Sequence, residues 1–180
     1  NNTFRQINLF ISEIQIPASY FQSINPLAIV ALAPVISILW VWLGQRGKDP
    51  NTPVKFALGL LLLGVGFIIM SFASFHADGG LLVSPLWLVS VYLIHTVGEL
   101  CLSPIGLSMI TKLSPAKITS VMMGLWFYSA AFANYTAGML ESFLHKALPN
   151  MNLFVFLSVS SISAALLLFI ISPLLKKLMD

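Results

Sequence analysis

Ionised side chains are scarce in this sequence: Asp, Glu, Lys and Arg make up 8% of 180 residues, against 58% hydrophobic, and the mean hydropathy is +0.92. A soluble domain carries roughly a quarter of its residues as charges, so that class is excluded and the chain is read as an integral membrane protein. Short segments alternating apolar and polar residues are also missing. Their absence excludes a transmembrane barrel, and the long uncharged runs become helices, which satisfy their own backbone groups in lipid. The single cysteine, Cys101, lies inside an apolar run, so no internal disulfide forms and its expected role is packing. With so few charges, the net charge of +3 speaks to loop placement and not to nucleic acid, which is not an expected partner.

Enzymatic constellations are equally thin. A glycine-rich phosphate loop is absent, and an intramembrane aspartyl protease needs two embedded carboxylates where the spans supply one. Ser103 sits one turn from Glu99, yet no oxyanion motif accompanies it, so no catalytic residue is assigned. His95 and Glu99 stand four residues apart, a spacing that suits a metal, but a third ligand at matching depth is lacking and none is assigned. No cofactor is expected. What remains is passage of a solute or an ion.

The stretch that carries this reading is 84–113, SPLWLVSVYLIHTVGELCLSPIGLSMITKL, with Glu99 near its middle. At about 1.5 Å per residue such a helix exceeds the roughly 30 Å hydrocarbon core of a bilayer, placing Glu99 near mid-membrane. A carboxylate there costs on the order of 2.5 kcal/mol or more unless it faces protein or water, so a functional residue is expected, the alternative being a structural glutamate hydrogen-bonded between packed helices. Tyr92, His95 or Thr96, Ser103 and Gly106 fall on the stripe of Glu99, and a polar stripe on an apolar helix faces a cavity. Pro104 lacks an N–H, so the carbonyl of Leu100 loses its helical partner beside Glu99 and a hinge is expected there.

In chain order, residues 1–15 are too short and polar to span and are read as the end of an earlier helix; they lack the pattern of a signal peptide. Spans follow at 17–44, 54–76, 84–113, 118–140 and 153–175, five complete ones and the end of a sixth. Asn25 precedes Pro26 in the first of these, and its amide either points into a cavity or caps a helix beginning at Pro26. Arg46, Lys48, Lys55, Lys112, Lys117, Lys176 and Lys177 share one side if the spans alternate, leaving Arg5 and Lys146 opposite. The positive-inside rule makes that side, with the C-terminus, cytoplasmic.

Three runs carry a family resemblance: FQSINPLAIVALAP, GELCLSPIGLSMITKLSP and MMGLWFYSAAFANYTAG. They resemble the eighth, tenth and eleventh helices of the proton-dependent oligopeptide transporters of the major facilitator superfamily, and the likeness extends from about residue 17 onward. The resemblance implies that 1–15 is the end of helix 7 and that the five spans are helices 8 to 12. The chain is then an all-α, C-terminal six-helix bundle, with the N-terminal bundle absent. Glu99 matches the family's tenth-helix glutamate, which contacts the peptide amino terminus and pairs with a lysine of the other half. Asn25, Ser103 and Trp126 match pocket residues of the eighth, tenth and eleventh helices. Trp126 enters on resemblance alone, since a tryptophan in a span is otherwise packing or an interfacial anchor. The short loop between the ninth and tenth spans resembles prokaryotic members.

The implied function is proton-driven symport of di- and tripeptides across the cytoplasmic (inner) membrane, with Glu99 at the peptide and proton site. The partners are peptide, protons, the lipid bilayer and the N-terminal half. The alternatives are a related carrier of another solute, such as nitrate or a drug, and a non-transporting membrane subunit that uses Glu99 for helix association.

Overall fold

The computed structural model describes residues 23–78, 84–147 and 152–179, so the expected end of helix 7 at 1–15 and the start of the span at 17–44 lie outside the described residues. Five helices carry the chain: α1 (Ile24–Gln45), α2 (Thr52–Asp78), α3 (Leu86–Leu113), α4 (Thr119–Ala147) and α5 (Leu153–Met179). Four of them, all but α4, are long and apolar enough to cross a membrane. The fourth is 29 residues long, and its many Ala, Gly, Ser, Asn and Tyr residues lower its hydropathy below that of its neighbours.

Local chemistry sets the helix ends. Gly47 stops α1 with a φ of 64°, where its N–H reaches the Gly44 carbonyl and the Lys48 N–H reaches that of Leu43. This is the Schellman arrangement, and it satisfies two carbonyls that would otherwise end the helix unpaired. Asn51 opens α2 by accepting the Val54 N–H on Oδ1 at 3.1 Å. Asn152 does the same for α5, taking the Phe154 N–H at 2.9 Å while its Nδ2 donates to Ser74 of α2 at 3.2 Å. Helix α3 ends at Ser114, whose extended ψ of 136° is what a following proline imposes.

Helix α2 is the central element, packed along both α3 and α5, while α1 and α4 lean on α3. Small residues set these contacts: Ala57 and Ala165 are fully buried, and Gly59 of α2 meets Gly98 of α3 backbone to backbone. A Cβ at Gly59 would stand 2.8 Å from the Gly98 carbonyl, and one at Gly98 would stand 2.9 Å from the Gly59 carbonyl, so neither helix tolerates a side chain there without parting. In lipid no hydrophobic force drives helices together, and close approach through glycine is how packing is gained.

The same contacts give the register. Gly59 meets Gly98 and Leu102 whereas Leu63 and Gly66 meet His95, so α2 and α3 run antiparallel; Gly64 against Ile162 and Ser74 against Asn152 show the same for α2 and α5. This gathers Arg46, Lys48, Lys55, Lys112 and Lys176 at one end of the bundle. There Lys55 pairs with Asp49 at 2.8 Å and lies 4.7 Å over the ring of Trp40, while Arg46 lies 3.8 Å over Trp42. Outward faces carry large apolar groups such as Val30, Ile38, Phe127 and Ile170, a surface suited to lipid or another helix and not to water.

Candidate functional site

Glu99 lies in the middle of α3, half-buried, on the side that faces α1. Across that contact Asn25, in the first turn of α1, donates from Nδ2 to Glu99 Oε2 at 3.3 Å. Its Oδ1 accepts the hydroxyl of Thr96 at 2.7 Å. Thr96 is fully buried, one turn before Glu99, and its hydroxyl also lies 2.7 Å from the carbonyl of Tyr92. A carboxylate, an amide and a hydroxyl thus form a chain across two helices inside an apolar bundle.

The helix α1 begins at Ile24, not at Pro26, and Ser23 makes no side-chain cap. Asn25 therefore does not act as the N-cap of a helix starting at the proline. Pro26 is accommodated because the first turn has no intrahelical acceptor to lose, which leaves the Asn25 side chain free to cross to α3.

His95 and Thr96, open as alternatives for the polar stripe, separate here. Thr96 faces Asn25, whereas His95 turns to α2 and donates from Nε2 to the Leu63 carbonyl at 3.2 Å, with its ring edge-on to Phe67 at 4.9 Å between centroids. Gly66 makes room for the imidazole, since a Cβ there would strike the ring. His95 and Glu99 thus address different helices, and no group of three or more metal-ligating side chains is found among the described residues.

Ser103 is half-buried one turn beyond Glu99, and Gly106 is buried one turn further. Trp126 of α4 lies against Gly106, where an added Cβ would stand 2.7 Å from Cζ2 of the indole. The ring is half-buried, so one part packs on the glycine while the rest is open beside the Glu99 stripe. Pro104 lies inside α3 on an exposed face, and α3 continues through it to Leu113. The structure thus joins Asn25 to Glu99 directly and sets Trp126 two turns away on the same stripe. Sequence reasoning missed the bond between Thr96 and Asn25 and the seat that Gly106 gives Trp126. Their signal was present, because both lie on the stripe of Glu99, but their partners are 71 and 20 positions away in the chain.

Residues 3–154 match the PTR2 model of the POT family. The chain is 40% identical to the uncharacterized transporter YclF of Bacillus subtilis over 97% of its own length and 35% of that protein. It is 41% identical to the peptide transporter YePEPT of Yersinia enterocolitica, over 92% of this chain and 33% of that one. Among solved structures, the peptide transporter POT in a mutant form bound to alafosfalin superposes with a TM-score of 0.81 at 41% identity, covering 97% of this chain and 35% of that one. A POT family transporter in complex with a thioalcohol-conjugated peptide gives 0.79 at 38% identity, over 93% and 34%. The chain therefore spans about a third of the length of the relatives it matches. These relatives are transporters and not enzymes, and their structures share the all-helical membrane architecture found here. By family model, by identity and by superposition the chain belongs to the POT family of peptide transporters.

Proposed function

We propose that this chain is the C-terminal six-helix half of a proton-coupled symporter for di- and tripeptides, with Glu99 at its peptide and proton site. The observation that carries the reading is the bond between Asn25 and Glu99, a mid-helix carboxylate held toward a neighbouring helix by an amide. A carboxylate presented this way attracts the ammonium of a peptide, and an amide beside it donates to and accepts from a peptide backbone. The indole of Trp126 adds apolar area with one N–H donor, which tolerates varied side chains. Ser103, between them, adds a hydroxyl. Protons supply the driving force and no cofactor is required.

The basic end of the bundle, with Arg46, Lys48, Lys55, Lys112 and Lys176, is taken as cytoplasmic by the positive-inside rule, which puts the C-terminus there in the inner membrane of a prokaryote. The six helices of the other half close the site against the exposed faces of α1 and α4. Access then alternates as one half rocks against the other. Pro104, one turn past the carboxylate, is the hinge of α3 in this reading.

Glu99→Gln keeps the size of the side chain and removes its titration. In vesicles holding the complete transporter, the variant is expected to lose accumulation of dipeptide against a gradient while still exchanging peptide for peptide. A variant that concentrates peptide as wild type does refutes the role of Glu99, and a wild type that moves a different solute instead of peptide refutes the substrate class.

A further inference from the structure

Thr96 has one hydroxyl proton and two acceptors at equal distance. Asn25 Oδ1 and the Tyr92 carbonyl both lie 2.7 Å from Oγ1, and the residue is fully buried, so water does not make up for either. While the proton goes to Asn25 Oδ1, the amide is held with its NH2 toward Glu99, the orientation that serves an ionised carboxylate. A protonated Glu99 keeps a carbonyl oxygen that still accepts from that NH2, but without the charge the bond is worth about half as much, so the NH2-forward amide favours the ionised form.

From this geometry we infer that Thr96 is a positioning residue that holds the Asn25 amide with its NH2 toward Glu99 and so favours the ionised form of that carboxyl. Thr96 donates to Oδ1, and Nδ2 is thereby left to donate to Glu99. Without the hydroxyl the amide is free to turn and present Oδ1 to the carboxyl, an orientation that suits a protonated Glu99, which can donate to it, and repels an ionised one.

Among the described residues, no other titratable side chain on the elements packed against α3 hydrogen-bonds to Asn25, Thr96 or Glu99. Helix α1 has none between Ile24 and Gln45; α2 has Lys55 near its start, paired with Asp49, and His76 and Asp78 at its end. Helix α4 carries Tyr128, Tyr135, Glu141, His145 and Lys146, and α3 itself carries Tyr92, His95 bound to Leu63, Cys101 and Lys112. Among the described residues, the side-chain partners of Glu99 and Thr96 meet only at Asn25.

The inference rests on the proton-coupled reading above, and the test separates the two. Thr96→Val keeps the shape and removes the hydroxyl; Thr96→Ser keeps the hydroxyl, and Thr96→Ala replaces Val if that variant does not insert. In vesicles of the complete transporter, dipeptide uptake is followed against pH. Loss of Thr96's hold on the NH2-forward amide is expected to move the alkaline limb of the profile upward by about half a unit to one unit in Thr96→Val, the worth of one hydrogen bond. Thr96→Ser is expected to follow wild type, and Thr96→Val added to Glu99→Gln to leave the profile of Glu99→Gln unchanged. Profiles of Thr96→Val and wild type that superimpose, or an equal displacement in Thr96→Ser, overturn the role. If wild type takes up no peptide, the failure lies with the proposed function. The infrared carboxyl band that Glu99→Gln abolishes, followed against pH without any solute, then decides: a band unmoved by Thr96→Val overturns the inference, and one that moves in Val but not in Ser supports it.

Discussion

Gly106→Ala, a change of one methyl group, is expected to weaken peptide binding by acting on a residue in another helix. The new Cβ would stand 2.7 Å from Cζ2 and 3.0 Å from Cζ3 of the Trp126 indole, and nearer still to Cη2. Ordinary contact begins at about 3.4 Å, so the far end of the ring must retreat by about 1 Å, and a rigid indole does so only by turning about its χ angles or by pushing α4 away. Helix α4 has few other attachments to the bundle, since it leans on α3 alone among its substantial contacts. If the half-buried ring supplies roughly 1.5 kcal/mol to a bound peptide, its displacement lowers affinity about tenfold. Peptide binding to the complete transporter, measured by calorimetry or by thermal shift against peptide concentration, gives the single-site values. A double-mutant cycle with Trp126→Ala gives the mechanism. Trp126→Ala alone is expected to cost the same tenfold, and Gly106→Ala on that background to cost little more, because the atom it strikes is gone. Additive losses would refute the reasoning and assign Gly106 an effect of its own, such as a distortion of α3.

Gly98→Ala and Gly59→Ala each drive a Cβ into a backbone carbonyl, which cannot swing aside as a side chain can, so each is expected to destabilise the α2–α3 contact by about 1–3 kcal/mol and lower the melting temperature in detergent. Asn25→Leu is expected to weaken peptide affinity about 10- to 150-fold, from loss of a hydrogen bond to a charged group of about 1.5–3 kcal/mol, with the melting temperature changed far less than in the glycine variants. Residues 1–180 by themselves, purified into vesicles, are expected to show no peptide-dependent proton flux; robust uptake by this chain alone would overturn the two-half reading in favour of a self-contained oligomer.

How far the sequence could be read depended on the range of each physical rule. Helices were legible because the hydrophobic runs are longer than any soluble helix needs and because Gly47, Pro115 and Asn152 are local stop and start signals. The polar stripe around Glu99 was legible because helical spacing alone puts Ser103 and Gly106 on one face. What spacing leaves open is the choice between neighbours. His95 and Thr96 flank the stripe almost equally, and the notch at Gly66 in α2 decides the matter by admitting the imidazole and leaving Thr96 to Asn25. The ambiguity at Asn25 had the same origin. An asparagine before a proline suits a cap by local rules, and only a carboxylate 74 positions away turns it into a cross-helix donor. The resemblance supplied Trp126, which no local rule would separate from an interfacial anchor.

Helix α4 leaves an unpaired surface. Helix α4 exposes Phe127, Tyr128 and Tyr135 over much of its length, and a Cβ added at Gly124 or Gly138 would meet nothing within 4 Å. Lipid would accept the aromatic rings there, but it gains nothing from glycine, whose use in a membrane helix is to let another backbone approach. The contrast with α2 is direct: Gly59, Gly64 and Gly66 are each filled by a neighbour, while the glycines of α4 stand open. Helix α4 is also the least apolar of the five, as expected of a helix that faces protein more than hydrocarbon. Trp126 and the side of α3 that carries Glu99 border the same region. A second bundle seated on α1 and α4 would therefore close over the carboxylate. Crosslinking offers the direct test: cysteines at Gly124 and Gly138 are expected to pair with the other half of the complete transporter and not with α2 or α5 of this chain. Efficient crosslinks within this chain would mean that α4 folds back onto its own bundle and that the open glycines face a different neighbour.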